Sequence, residues 1–174
     1  MNKDEQNKGV FKLKPLSREG LESAMEKAEH YRLLNQPHLA ESICLDILDI
    51  DPGNQKASVV LLLALTDQFG SSTPNVVKQA EEIASKLKDE YARLYYTGII
   101  RERLGNAALR SAVHGAAFDA YEWYTEAMDF FEKAEAVQPH NNNDAILRWN
   151  TCARTIMQYH LEERPSDAPH PILE

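Results

Sequence analysis

The stretch LAESICLDILDIDPGN, residues 39–54, decides the fold. Ala40, Ile43, Cys44, Ile47 and Ile50 recur at the spacing that gathers them on one face of an α-helix. The ring of Pro52 cannot continue that helix and Gly53 frees the backbone, so DPGN is a stop. Taken alone this is one amphipathic helix. Its pattern returns, however, in EAMDFFEKAEAVQPHN at 126–141. Ala40 aligns with Ala127, Ile43 with Phe130, Cys44 with Phe131, Ile47 with Ala134, Ile50 with Val137, Pro52 with Pro139 and Asn54 with Asn141, all at one constant offset. Two unrelated helices do not share a register that far, so the stretch is part of a repeating unit.

Working outward, residues 1–16 mix Lys, Asn, Asp and Gln without periodicity and read as a flexible arm. Ser17 can cap a helix whose stripe is Leu21, Ala24, Met25, Ala28 and Tyr31. LNQPH interrupts it, and Pro37 suits the first turn of the helix that follows. A third helix is expected over about 55–69, where VVLLLAL is apolar on more than one side, as in a helix covered on both flanks. GSSTPN is a loop with Thr73 as the expected cap, followed by a fourth helix carrying Val76, Val77, Ala80, Ile83, Ala84 and Leu87. A fifth runs over about 90–104 and ends at Gly105. From Asn106 to Val137 only Gly115 offers a break, and the period predicts one continuous helix. At ~1.5 Å per residue it would be about 48 Å long. A last helix over about 145–161 carries Ile146, Trp149, Cys152, Ala153, Ile156 and Met157. The segment 163–174, RPSDAPHPILE with its preceding Glu, is read as a flexible Pro-rich tail.

Composition narrows the function classes. A formal net charge of −8 argues against non-specific attraction to nucleic acid or to an anionic membrane, both of which need clustered Lys and Arg. The apolar run Val59–Leu65 is too short to span a bilayer, and the polar start of the chain lacks the apolar core of a signal peptide. Cys44 and Cys152 each fall on an apolar stripe and are expected to be buried, reduced thiols in a cytoplasmic protein. There is no Gly-rich phosphate loop, no G-x-S-x-G and no paired zinc spacing among the histidines, so no cofactor and no metal is expected. DIDPGN bears a faint likeness to a calcium loop, but Val60 stands where the bidentate Glu belongs. The aromatic run FDAYEWYTEAMDFF is interleaved with Asp119, Glu122, Glu126 and Asp129, which repel phosphates, so it reads as core or subunit interface.

The repeated pattern resembles the tetratricopeptide repeat family, whose unit of ~34 residues is two antiparallel helices patterned W-x2-L-G-x2-Y…A-x3-F…P. Residues 21–54 fit one unit, with Ala28 at the small position, Tyr31 at the aromatic, and Ala40, Cys44 and Pro52 supplying the second helix and its stop. LYYTGIIRERLGN places Leu94 and Gly98 in a third unit, and Trp149, Cys152, Ala153 and Ile156 repeat the first-helix pattern at the end. Departures are clear. Ala24 and Lys27 replace the large residues of the first unit, Leu62 stands at a small position, and Arg101 replaces the tyrosine of the third unit. The sequence between Gly105 and Ala127 exceeds a standard unit by about 17 residues. Because AALRSAVHGAAFDA is Ala-rich, 106–122 is expected to extend a helix. The resemblance implies an all-α fold of antiparallel helix-pair repeats in a right-handed superhelix over 17–162, about three units with a C-terminal capping helix.

By the same resemblance, the concave surface is lined by first helices and takes Met25, Glu29, Arg32, Val59, Leu63, Tyr95, Ile99 and Arg103. Family members that grip a chaperone's terminal carboxylate use Lys, Asn and Arg there. Here Met25, Glu29, Val60, Ala92 and Tyr96 stand at those positions, and none supplies the Lys, Asn or Arg donor that grip uses. The expected function is a protein-interaction module or scaffold without enzymatic activity, holding a peptide or helix in an apolar groove. Homodimerisation is expected through the extension, at Leu109, Ala112, Val113, Gly115 and Ala116, whose small residues permit close helix approach. The alternatives are a holding chaperone for a secreted or apolar client and an enzyme whose site the sequence conceals.

Overall fold

The computed structural model describes residues 11–70 and 74–165. The arm before Phe11, the Thr73 cap and the tail beyond Pro165 lie outside the described residues. Seven α-helices are described: α1 Leu21–Leu33, α2 Pro37–Ile50, α3 Gln55–Thr66, α4 Pro74–Ser85, α5 Glu90–Leu109, α6 Ala116–Ala136 and α7 Asp144–Tyr159. No strand occurs among the described residues, and the protein is all-α. Each helix packs on its sequence neighbour, and α1 also touches α3 directly.

Local chemistry sets most boundaries. Pro37 occupies the first turn of α2, where its missing N–H is not needed. Asn54 caps α3: its side-chain oxygen accepts the Ala57 amide at 2.9 Å, while its own side-chain amide donates to Asp51 at 3.1 Å. Asp89 caps α5 in the same way, accepting the Ala92 amide at 2.8 Å. Ser17 does not cap α1; its carbonyl accepts the Gly20 amide in a short 3-10 turn that leads into the helix. Asn141, aligned in sequence with Asn54, takes a left-handed conformation, φ 63°, before the start of α7. The neighbouring Asn142 side chain accepts the Asp144 amide instead, at 2.8 Å.

Three of the aligned pairs share full burial, while Val137, aligned with the half-buried Ile50, is exposed. Ala40, Cys44 and Ile47 of α2 are fully buried, and so are Ala127, Phe131 and Ala134 of α6. Burying residues of the size of Ile47 and Phe131 contributes roughly 1.5–3 kcal/mol each. The core falls into two clusters. One gathers α1–α4 around Cys44, Ile47, Leu62 and Ile100, and the other gathers α5–α7 around Ile99, Tyr124, Phe131 and Cys152.

Two sequence expectations fail at the same place. The chain does not run as one helix from 106 to 137, and the fifth helix does not end at Gly105. Instead α5 continues to Leu109, the chain turns over 110–115, and α6 begins at Ala116 after Gly115 in the left-handed region, φ 84°. The extra residues therefore lengthen both arms of a hairpin. This fold-back lets Tyr124 bury against α5, where a lone projecting helix would leave its apolar stripe in water. Gly105 lies inside α5 because Tyr124 packs on it: a Cβ there would sit 2.9 Å from the ring.

Candidate functional site

The helices α1, α3 and α5 form the walls of a groove of about 770 Å³. Leu33, Val59, Val60, Leu63 and Tyr96 give it an apolar lining, with Glu29, Arg32, Gln55 and Lys56 along its edge and Tyr91 and Ala92 at the α5 side. Residues of α1, α3 and α5 face it, while α2 packs on both α1 and α3, and α4 on both α3 and α5.

The charges beside the groove are arranged across helices. Lys56 of α3 donates to Glu29 of α1 at 2.9 Å. Arg32 of α1 and Arg103 of α5 both approach Asp67, which follows α3, at 2.8 and 3.7 Å. Two guanidiniums thus share one carboxylate. A third carboxylate, Asp144, is close enough to raise the pKa values of Tyr91 and Tyr96. The ion pairs are partly exposed, so each contributes at most about 1 kcal/mol to stability. Their larger effect is the electrostatic character of the surface.

Deeper in, Arg148 of α7 donates to the buried Glu102 carboxylate of α5 at 3.1 Å. Burial raises the pKa of Glu102 above the ordinary carboxylate value, and nearby Arg148 and Arg103 pull against it. Behind the groove wall the rings of Tyr91 and Tyr95 stack at 5.5 Å, and Tyr95 meets Tyr96 edge-on at 5.2 Å. Tyr95 also lies 5.9 Å from the ring of Phe131.

The expected groove residues separate into three groups. Glu29, Arg32, Val59 and Leu63 line the groove. Met25 and Ile99 do not: at 6% and 1% exposure they are core. Tyr95 backs the wall from the second cluster, and Arg103 stands beside the groove through Asp67. On α5 the exposed edge is Tyr91, Ala92 and Tyr96, so the expected register is displaced along this helix. The resemblance noted in the sequence singles out Ala92 and Tyr96, which do lie on this edge. Lys56 and Leu33 were missed because both are ordinary at helix ends and neither stands at a patterned position.

The expected self-association stripe is not one surface. Leu109 packs into the second core cluster, Ala116 is buried, and Ala112 and Val113 are exposed in the turn between the helices. Gly115 serves that turn through its positive φ and does not provide a flat helix face.

Both cysteines are buried and free. Burial pushes each thiol up to about 12, reinforced at Cys44 by Glu29 and at Cys152 by Glu102. Such thiols are poor nucleophiles and poor metal ligands. Among the described residues no three His, Cys, Asp or Glu side chains converge to hold a metal ion, and no helix is long and apolar enough to cross a membrane. No family model, no curated protein and no solved structure matches the chain.

Proposed function

We propose that the protein is an interaction module built from tetratricopeptide-like helix pairs in a right-handed superhelix. Its groove takes an apolar peptide or helix that carries a carboxylate. The observation that carries this reading is the groove itself: an apolar trough on α1, α3 and α5, bordered by Arg32, Lys56 and Arg103 with Glu29 and Asp67, two of the cations sharing Asp67. Three matched pairs support it, Ala40 with Ala127, Cys44 with Phe131 and Ile47 with Ala134, all fully buried. A partner's apolar side chains would meet Leu33, Val59, Val60, Leu63 and Tyr96, and its carboxylate would take over one of the two guanidiniums that share Asp67. This reading assigns the protein no catalytic step of its own.

The test is selection of displayed random peptides on the immobilised protein, with Val59→Arg and Leu63→Arg variants as counter-screens. Apolar peptides enriched in Asp or Glu are expected, and both variants should lose them. Binders that are basic, or that bind both variants undiminished, would refute the groove as the site.

A further inference from the structure

A second apolar hollow is lined by residues of α4, α5 and α6 and shares no residue with the groove. Two adjoining hollows of about 420 and 590 Å³ share Phe69, Gly70, Leu104 and Trp123. Val77 extends the first, and Ala107 and Ala108 extend the second, giving the cleft an apolar floor with Glu81, Arg101, Ser111 and Asp119 also along its sides. Lys78 stands at one end and Arg110 at the other, and neither forms an ion pair among the described residues. The third cation of the cleft, Arg101, is already held by Glu81 and Glu126 and lies 5.5 Å from the Trp123 ring centre.

The chain delivers its own candidate to this cleft. After α7, Leu161 packs into the second core cluster and the backbone crosses the start of α6. There Arg164 pairs with Asp119 and Glu122 and lies over the Phe118 ring. Asp119 itself lines the cleft at the Arg110 end. The described chain therefore leaves the body at the mouth of the hollow. The residues that follow, 166–174, read SDAPHPILE. At ~3.3 Å per residue they reach roughly 30 Å when extended, ample to traverse a cleft bounded by two or three helices. Their apolar residues, Pro169, Pro171, Ile172 and Leu173, are bracketed by Asp167 and Glu174. That order matches the cleft, with Arg110 near the point of entry, apolar walls next and Lys78 beyond.

We propose that residues 167–174 are an intramolecular ligand of this cleft, with Ile172 and Leu173 against Phe69, Leu104 and Trp123, Asp167 toward Arg110 and Glu174 toward Lys78. The segment then ties the α5–α6 hairpin to α4. It makes this face of the molecule one that an outside peptide reaches only by displacing it.

Trp123 reports on occupancy. In a Trp149→Phe background it is the sole tryptophan. The full chain with Ile172→Ser and Leu173→Ser, and separately a chain ending at Pro165, are compared with the parent by emission and acrylamide quenching. Circular dichroism confirms that each is folded. Both variants are expected to show a red-shifted emission and lost protection from quencher. A synthetic peptide of residues 166–174 should reverse the change in the shortened chain, saturably, and leave the intact chain unaltered. Emission and quenching unchanged in either folded variant would overturn the proposal. So would a peptide that binds the intact chain as well as the shortened one, or a signal that varies with protein concentration, which would assign the segment to a second copy. The peptide selection on the groove reads a different face, so either reading can fail without the other.

Discussion

The ring of Phe131 occupies the space a side chain at position 98 would need: a Cβ on Gly98 would lie 2.6 Å from the nearest ring carbon. Gly98, with Gly105 under Tyr124, therefore sets how closely α5 and α6 approach. Replacing it with Ala gains about 1 kcal/mol of helix propensity and adds overpacking that costs roughly 1–3 kcal/mol. Overpacking prevails because Phe131 is fully buried and backed by Tyr95, leaving it nowhere to move. Thermal unfolding of Gly98→Ala should show a lower Tm than the parent. Combining it with Phe131→Leu should cost less than the sum of the two changes. A Tm equal to or above the parent's would show that the ring yields.

Glu102 carries a pH signature. Its folded pKa is raised, chiefly by burial. A raised acid contributes its stability below the unfolded pKa and loses it as pH climbs through the folded pKa. In Glu102→Gln this loss is absent. The stability of the variant relative to the parent should therefore rise as pH increases from about 4, then level off once the parent carboxylate is ionised in both states. Urea melts at several pH values measure the difference. A relative stability that falls with pH would mean that Arg148 outweighs burial.

The thiols of Cys44 and Cys152 should be silent in the native protein. With pKa values near 12, the thiolate at pH 8 is on the order of one part in ten thousand, and both sulfurs are shielded. A thiol reagent at pH 8 should label neither until denaturant is added, and then both. Prompt modification of either cysteine in the folded state would contradict this burial.

Gly115 holds the turn between the long helices at φ 84°, and a Cβ there would meet Arg164 at 3.4 Å. Gly115→Ala should destabilise by roughly 1–2 kcal/mol through the left-handed backbone alone. The loss is measurable by chemical denaturation. An unchanged midpoint would indicate that the turn relaxes to another conformation.

The helices that could be read from the sequence are those bounded by chemistry the sequence displays. Pro37, the DPGN stop and the Asn54 cap act locally, so α2 and α3 begin where they were expected. Gly105 and Gly115 were misread because glycine has two uses that look identical in one dimension. Gly105 makes room for Tyr124, whereas Gly115 reverses the chain, and only the packing of α6 on α5 separates them. The groove was legible on α1 and α3 through Glu29, Arg32, Val59 and Leu63. On α5 it slipped, because Arg101 stands at the aromatic anchor position and gives the pattern nothing to lock on. The cleft beside Trp123 was invisible for a simpler reason: it exists only because the hairpin folds back.

Ile99 and Ile100 are adjacent in α5, yet one is buried in the second core cluster and the other in the first. Leu63 and Tyr96 touch both clusters as well. A single turn of helix is thus shared property of the two halves, and neither half can melt without stripping one side of it. The chain should accordingly lose its structure in one cooperative step, with the amides around Ile99 among the last to exchange with solvent.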